Sequence, residues 1–261
     1  MSLVVTDAIV LHAFDYLESS RIFRLVTREA GVRSVLARGA RKSRRRFGAA
    51  LDLYAQGSAE LYVKPGRDLD TLAAFDLTRS RAVLAARLDR FAGAAVIAEL
   101  TLRFGRDGGD PGLFDAVAAT LDQLAGAPPD RARDITLAGA WRILAELGVA
   151  PTLDACAECH APVASEAPAM FSHPAGGVLC ARCAHLARAG RGLPASARAA
   201  LRDWLAGTPH AVTDALEARA HQRLLREFVR EHLADERPLR AFDAWERETL
   251  AANVAEPEPA S

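Results

Sequence analysis

Four cysteines constrain this chain more than any other residues in it. Cys156 and Cys159 form the pair C-A-E-C, Cys180 and Cys183 form C-A-R-C, and 20 residues separate the pairs. The 261 residues hold no other cysteine. Two C-x2-C knuckles at this separation are the spacing of a zinc site. Each knuckle bends its backbone so that both sulfurs face one ion, and the stretch between them loops back to deliver the second pair. Four thiolates complete a tetrahedron and leave no position for water or substrate, so the single Zn2+ expected here is structural. Two disulfides are the alternative, and they require an oxidising compartment. His160, His173 and His185 lie nearby and are read as polar residues of the loops. Between Cys159 and Cys180 the sizeable apolar residues are Val163, Met170, Phe171, Val178 and Leu179. So small a set predicts that metal stabilises this segment, by about 10 kcal/mol or more.

Half the residues are apolar and a quarter charged, which is the balance of a folded protein with a sizeable core. Lys and Arg match Asp and Glu at 33 each, so bulk charge announces no polyanionic partner. The distribution says more: residues 1–80 carry 13 basic and 9 acidic side chains. The first residues, M-S-L-V-V-T-D, have no basic region ahead of an apolar run, and no apolar stretch reaches about 18 residues. Neither a signal peptide nor a membrane span is expected, and the expected location is the cytoplasm. A Walker-type phosphate loop, G-x-S-x-G and H-E-x-x-H are all missing from the sequence. The chain is therefore read as a non-enzyme.

Alternation of apolar and polar residues predicts short strands through the first 80 residues, at 8–11, 21–27, 32–37, 58–63 and 69–75. Glu29-Ala30-Gly31 and Pro65-Gly66 are predicted turns. Five strands at close spacing point to a small antiparallel barrel, although an SH3-like barrel or an open sheet has the same pattern. Helical spacing takes over near residue 79. One helix is predicted over 79–103, and another opens at Asp110-Pro111, an N-cap followed by Pro at the first helical position. Asp134 is expected to cap a third helix that Gly148 ends. Further helices are predicted over 196–205, 213–233 and 239–250. The organisation expected is a β domain over 1–79 and a helical domain over 80–150 and 187–250. A zinc insert occupies 151–186, and a disordered tail of alternating Glu and Pro follows at 251–261. Trp141, Trp204 and Trp245 fall on predicted helices, where tryptophan is usually core.

Between two predicted strands runs A-R-G-A-R-K-S-R-R-R-F-G. Arg38, Arg41, Lys42, Arg44, Arg45 and Arg46 fall within nine residues with no acid among them. Such a run repels itself and requires either bulk water or a polyanion. Lys/Arg contacts to phosphate dominate nucleic-acid affinity through counterion release, and they carry no sequence preference. Phe47 offers a ring on which a base can stack, and Tyr16 and Tyr54 read equally as further stacking residues or as core or hairpin residues. An RNA ligand satisfies the same chemistry. So does an adaptor role, in which the loop binds an acidic protein surface and the helical part docks proteins without touching DNA.

The residues also carry a resemblance. A-I-V-L at 8–11, D-Y-L-E-S-S-R-I at 15–22, L-V-T-R-E-A-G at 25–31, the stretch A-R-G-A-R-K-S-R-R-R-F-G-A-A-L at 37–51, E-L-Y-V at 60–63 and D-L-D-T-L at 68–72 occur in the order of the bacterial RecO family of recombination mediators. The resemblance extends to about residue 250, is most specific over 15–51, and matches by order and length in the C-terminal helices. It implies an OB-fold barrel followed by an all-α domain in which many members carry a zinc site. It implies binding to single- and double-stranded DNA, annealing of complementary strands, and partnership with RecR and the single-stranded-DNA-binding protein in loading RecA. Carried over by position, Arg38, Arg41, Lys42, Arg44, Arg45 and Arg46 become DNA contacts, with Arg21 and Arg24 as weaker ones. Cys156, Cys159, Cys180 and Cys183 become zinc ligands.

Overall fold

A computed structural model describes residues 2–40, 51–63, 66–128, 130–187, 190–233 and 237–255. The chain divides into two compact units, Met1–Ala127 and Pro128–Ser261.

The first unit is built on five strands: β1 (Ser2–Tyr16), β2 (Ser20–Thr27), β3 (Gly31–Ala37), β4 (Gln56–Val63) and β5 (Asp70–Arg79). They close into a barrel in the order β1-β2-β3-β5-β4. The long β1 pairs with β2 on one side and β4 on the other, and a short β3–β5 seam completes the closure. One correction to the antiparallel expectation follows. β3 and β5 run parallel, through Val35↔Asp70 and Leu36↔Thr71, because the chain completes β4 before returning beside β3. The interior is filled by residues of all five strands, among them Val10, Phe23, Leu25, Val35, Leu61 and Phe75. Gly31 has φ of +72°, and a Cβ there would lie 2.3 Å from the carbonyl oxygens of Arg106 and Gly108. The predicted turn therefore needs glycine for its backbone conformation and also for a close approach.

The helix expected over 79–103 is divided. A 3-10 turn (Ala82–Ala86) comes first, Arg87 is extended, and α1 (Leu88–Phe104) begins after it. α2 (Pro111–Ala125) starts as predicted: the Asp110 carboxylate accepts from Leu113 N–H at 2.9 Å, and Pro111 takes the first position. α1 packs against β1 and β2.

The second unit contains α3 (Ala132–Glu146), β6 (Ala169–Ser172), β7 (Gly177–Leu179), α4 (Ala181–Leu186), β8 (Arg191–Leu193), α5 (Ala195–Leu205), α6 (Ala215–His232) and α7 (Arg240–Ala255). Trp141, Trp204 and Trp245 are all buried in it. Asp134 is not a cap. Arg131 holds that position, and Asp134 lies buried in the first turn, where its carboxylate accepts from Val212 N–H at 3.4 Å. Gly148, at φ of +80°, stops the chain just past α3 as expected. The helix expected over 239–250 runs on to Ala255, into the segment read as a disordered tail; 256–261 lie outside the described residues. The segment between the helices holds a three-stranded sheet, β7-β6-β8, that the sequence did not announce. Among the described residues no helix is long and apolar enough to cross a membrane.

Candidate metal centre and nucleic-acid surface

The two knuckles bring their sulfurs together by different local devices. In the first, Cys156 and Cys159 sit in a tight turn. The Cys156 carbonyl accepts from His160 N–H and the Cys156 N–H donates to the Ala161 carbonyl, each at 2.8 Å. His160 closes the turn at φ of +61°. In the second, Cys180 is the N-cap of α4 and Cys183 lies three residues on, so both sulfurs project from one side of a helical turn. β7 links the two, because Val178 accepts from Ala157 N–H at 2.8 Å, two residues before Cys180.

All four Sγ atoms lie within 4.8 Å of one another, and Cys159 Sγ to Cys180 Sγ is 3.7 Å. A tetrahedron with Zn–S bonds of about 2.3 Å has sulfur–sulfur edges of about 3.8 Å, so the arrangement fits a four-thiolate ion. All four cysteines are free thiols. Burial opposes the Cys156 thiolate, but backbone N–H groups of Cys180, Cys159 and Glu158 outweigh it and bring the thiol down to about 6. Hydrogen bonding to Cys159 pushes Cys183 up. Among the described residues, the cluster of possible metal ligands consists of these four cysteines without a histidine. His173 is not among them; its Nε2 lies 3.5 Å from the Glu227 carboxylate, and its backbone carbonyl accepts from His232 Nε2 at 2.7 Å.

This centre is also tied to an apolar core. Phe171 on β6 is fully buried, with its ring centroid 6.1 Å from Phe228 of α6, and Phe228 lies 5.2 Å from Trp141. The segment therefore shares the helical core as well as holding four candidate metal ligands.

Of the cations singled out in the sequence, Arg21, Arg24 and Arg38 lie among the described residues; Arg41, Lys42, Arg44, Arg45 and Arg46 lie outside them, as does Phe47. Arg38 is exposed, one residue past the end of β3. Arg21 pairs in register with Ala37, sits over the Phe23 ring at the barrel rim, and meets Asp15 at 3.3 Å. Arg38, the first cation of the run, thus follows directly on a residue paired beside the end of β1 and the start of β2. Arg24 donates to the Leu102 carbonyl at 2.8 Å, so it also anchors α1 to the barrel. Tyr54 is not available for stacking. It is buried, its ring meets Phe91 edge-on at 6.0 Å, and burial raises its hydroxyl pKa. Tyr16 is exposed, and so are His12 and Phe14 on the same side of β1, which sequence reasoning missed. The signal was the alternation in L-H-A-F-D-Y, but it is masked by the continuous apolar run before it.

Two family models match the chain: "Recombination protein O N terminal" over residues 1–81 and "Recombination protein O C terminal" over residues 85–241. Curated relatives agree. A DNA repair protein RecO from Anaeromyxobacter sp. (strain K) is 43% identical over 187 residues, 70% of this chain and 72% of that protein. Another from Anaeromyxobacter sp. (strain Fw109-5) is 36% identical over 244 residues, 90% of this chain and 93% of that protein. One from Rubrobacter xylanophilus is 33% identical over 239 residues, 91% of this chain and 94% of that protein.

Proposed function

Because the chain belongs to the recombination protein O family, we propose that it is a cytoplasmic DNA repair and recombination mediator that works without covalent chemistry. It binds single- and double-stranded DNA without sequence preference and anneals complementary strands. With RecR it helps load RecA onto strands coated by the single-stranded-DNA-binding protein. The observation that supports this reading is the cation run: six basic residues within nine and no acid among them, in the stretch of sequence between β3 and β4 of the barrel. Arg38, Arg41, Lys42, Arg44, Arg45 and Arg46 contact phosphates, and Arg21 and Arg24 add charge from the barrel wall. Neutralised phosphates repel one another less, so two strands held on one surface pair without a catalytic group.

Within this reading residues 1–79 form an OB-fold that holds DNA, and the helical segments 80–150 and 187–250 dock protein partners. Cys156, Cys159, Cys180 and Cys183 hold one Zn2+ in the insert at 151–186. When bound, the metal supplies folding free energy rather than reactivity, because four thiolates leave it no open position.

The test is annealing of two complementary labelled oligonucleotides without ATP, followed by fluorescence transfer. Wild-type protein should anneal rapidly, and the Arg44→Ala/Arg45→Ala/Arg46→Ala variant should lose most of that rate. If all three residues touch phosphate, the slope of log affinity against log salt for single strands falls by about 2 in the variant. Wild-type protein that neither anneals nor binds strands refutes the reading. Preferential binding of RNA in competition moves the chain to RNA processing.

A further inference from the structure

The four sulfurs of the candidate metal centre differ in access. Cys156 is fully buried, whereas Cys159, Cys180 and Cys183 are half-buried. The accessible sulfurs come from both knuckles. Cys159 lies in the first turn, which His160 closes, and Cys180 opens α4 as its N-cap. Their Sγ atoms stand 3.7 Å apart. A disulfide holds its sulfurs at about 2.05 Å, so this pair has about 1.7 Å to close. A cleft of about 390 Å³ opens beside them, lined by Glu158, Ser172, Pro174, Leu179, Cys183 and Leu186. Its wall is largely apolar, and Glu158 is the carboxylate in it. That charge favours a small neutral reagent over an anionic one.

We propose that Cys159 and Cys180 form a peroxide-responsive modification site, in which oxidation joins the two knuckles by a disulfide and releases the zinc. The inference rests on the metal reading above and deepens it. Coordination keeps each sulfur in its thiolate form, which is also the nucleophile. The thiolate of one member of the pair attacks a peroxide oxygen. The O–O bond breaks, an S–OH group forms, and hydroxide leaves. The thiolate of the other member attacks that sulfur. The S–S bond forms, the S–O bond breaks, and a second hydroxide leaves. The two sulfurs have together given up two electrons, and the peroxide has taken both. Cys156 and Cys183 are the thiolates that remain, and a closed structural site needs four. A dithiol reverses the step by exchange and restores the full ligand set.

Access and contact select this pair. A bond within the first knuckle must involve Cys156, which no reagent reaches from solvent. A bond within the second would leave the knuckles unjoined, and it is the competing outcome. The Cys159–Cys180 bond instead ties the segment across 21 positions of sequence, at the place where the ion tied it. The change stays local for a second reason. Phe171 on β6 packs on Phe228 and Phe228 on Trp141, so the segment keeps its apolar hold on the helices without metal. What moves is α4. Its N-cap is drawn toward Cys159 while Cys183, in the same turn, loses its ion. The face reshaped is the cleft between α4 and the β6–β7 turn, where Leu186 stands exposed opposite Pro174 and Ala175.

The test uses full-length wild-type protein, reduced and loaded with zinc, with hydrogen peroxide as the probe. Elemental analysis counts the metal before treatment, and a coloured chelator follows its release. Remaining thiols are then alkylated, and the chain is digested with trypsin and a glutamate-specific protease. Glu158, Glu166 and Arg182 stand between successive cysteines, so the four fall on separate peptides. Peroxide should release one zinc per chain and remove two thiols. The peptide Cys159–Glu166 should be recovered linked to Ala167–Arg182. Emission from the three buried tryptophans of the second unit should not change. Dithiothreitol followed by zinc should restore both metal and thiols. Zinc and thiols that survive a peroxide dose sufficient to oxidise glutathione overturn the proposal. A bond within either knuckle, or sulfinic acid without a disulfide, also overturns it. A red shift of tryptophan emission on oxidation refutes the local character of the change. Reduced protein that takes up no zinc removes the metal reading itself, before any peroxide is added.

Discussion

Arg81 Nε lies 2.7 Å from Asp122 Oδ1, and the Arg81 side chain is almost wholly buried. The same guanidinium donates to the Tyr54 carbonyl at 3.0 Å, to Gln56 Oε1 at 2.8 Å and to the Ala118 carbonyl at 3.4 Å. One side chain thus ties the entry to β4, the end of β5 and α2 together. Its planar fork reaches four acceptors that an ammonium cannot span. Arg81→Ala should destabilise the first unit by about 1–3 kcal/mol, because it leaves the Tyr54 carbonyl and Gln56 Oε1 without this donor. Arg81→Lys should recover only part of that. Asp122 keeps solvent contact and a second partner in Arg79 at 3.1 Å. Because all three tryptophans belong to the second unit, the readout is hydrogen exchange of peptides from β4 and α2. Full protection in Arg81→Ala would show that the pair contributes nothing net.

The metal centre predicts an unequal response to chelation. Cysteine ligation stabilises a segment by tying four points to one ion, but β6 also shares the helical core through Phe171 and Phe228. Removing zinc, or making Cys159→Ser, should abolish exchange protection over the two knuckles and α4. α3, α5 and α6 should keep theirs. Elemental analysis should find one zinc per chain before chelation and a large fraction lost after Cys159→Ser. Loss of protection throughout the second unit would show that the apolar tie is too weak to hold the helices without metal.

How much of this was legible from the residues depends on how local the cause was. The cysteine spacing was legible because coordination chemistry dictates both ligand type and separation, and the structure gathers those same four sulfurs. Asp110 was legible as a cap because its partner, Leu113 N–H, is three residues away. Asp134 misled for the complementary reason. Its acceptor role is satisfied by Val212, 78 residues distant, and no local pattern announces that. The bulge in β1, between Val10 and His12, was hidden because 8–11 is apolar throughout, and a strand buried on both faces loses the alternation that would betray a change of parity. The parallel pairing of β3 with β5 depends on barrel closure, a property of all five strands together. The three short strands of the cysteine-bearing segment escaped because each is only three or four residues long.

The last prediction concerns pH. His221 on α6 is buried, meets Trp204 edge-on at 4.6 Å between ring centroids, and has no hydrogen-bond partner for either ring nitrogen among the described residues. Burial first, and then the charge of His210, push its pKa down to about 4. The groups facing it are the Glu217 carboxylate, 3.9 Å from Nε2, and His210, whose ring lies 6.4 Å from that of Trp204. In the unfolded chain the imidazole titrates near 6.5. Between these values the unfolded state holds the proton and the folded state does not, so the contribution is unaffected above pH 6.5 or so and is lost as pH falls. The loss approaches about 3 kcal/mol near pH 4 and does not grow below it. His221→Leu removes the titration while keeping an apolar side chain in the site. Urea unfolding followed by tryptophan fluorescence at pH 7 and at about pH 4.5 should show wild-type protein losing more stability than the variant. Acid release of zinc acts on both proteins alike, so the difference between them isolates His221. Parallel losses in the two proteins would place the acid sensitivity of the second unit elsewhere.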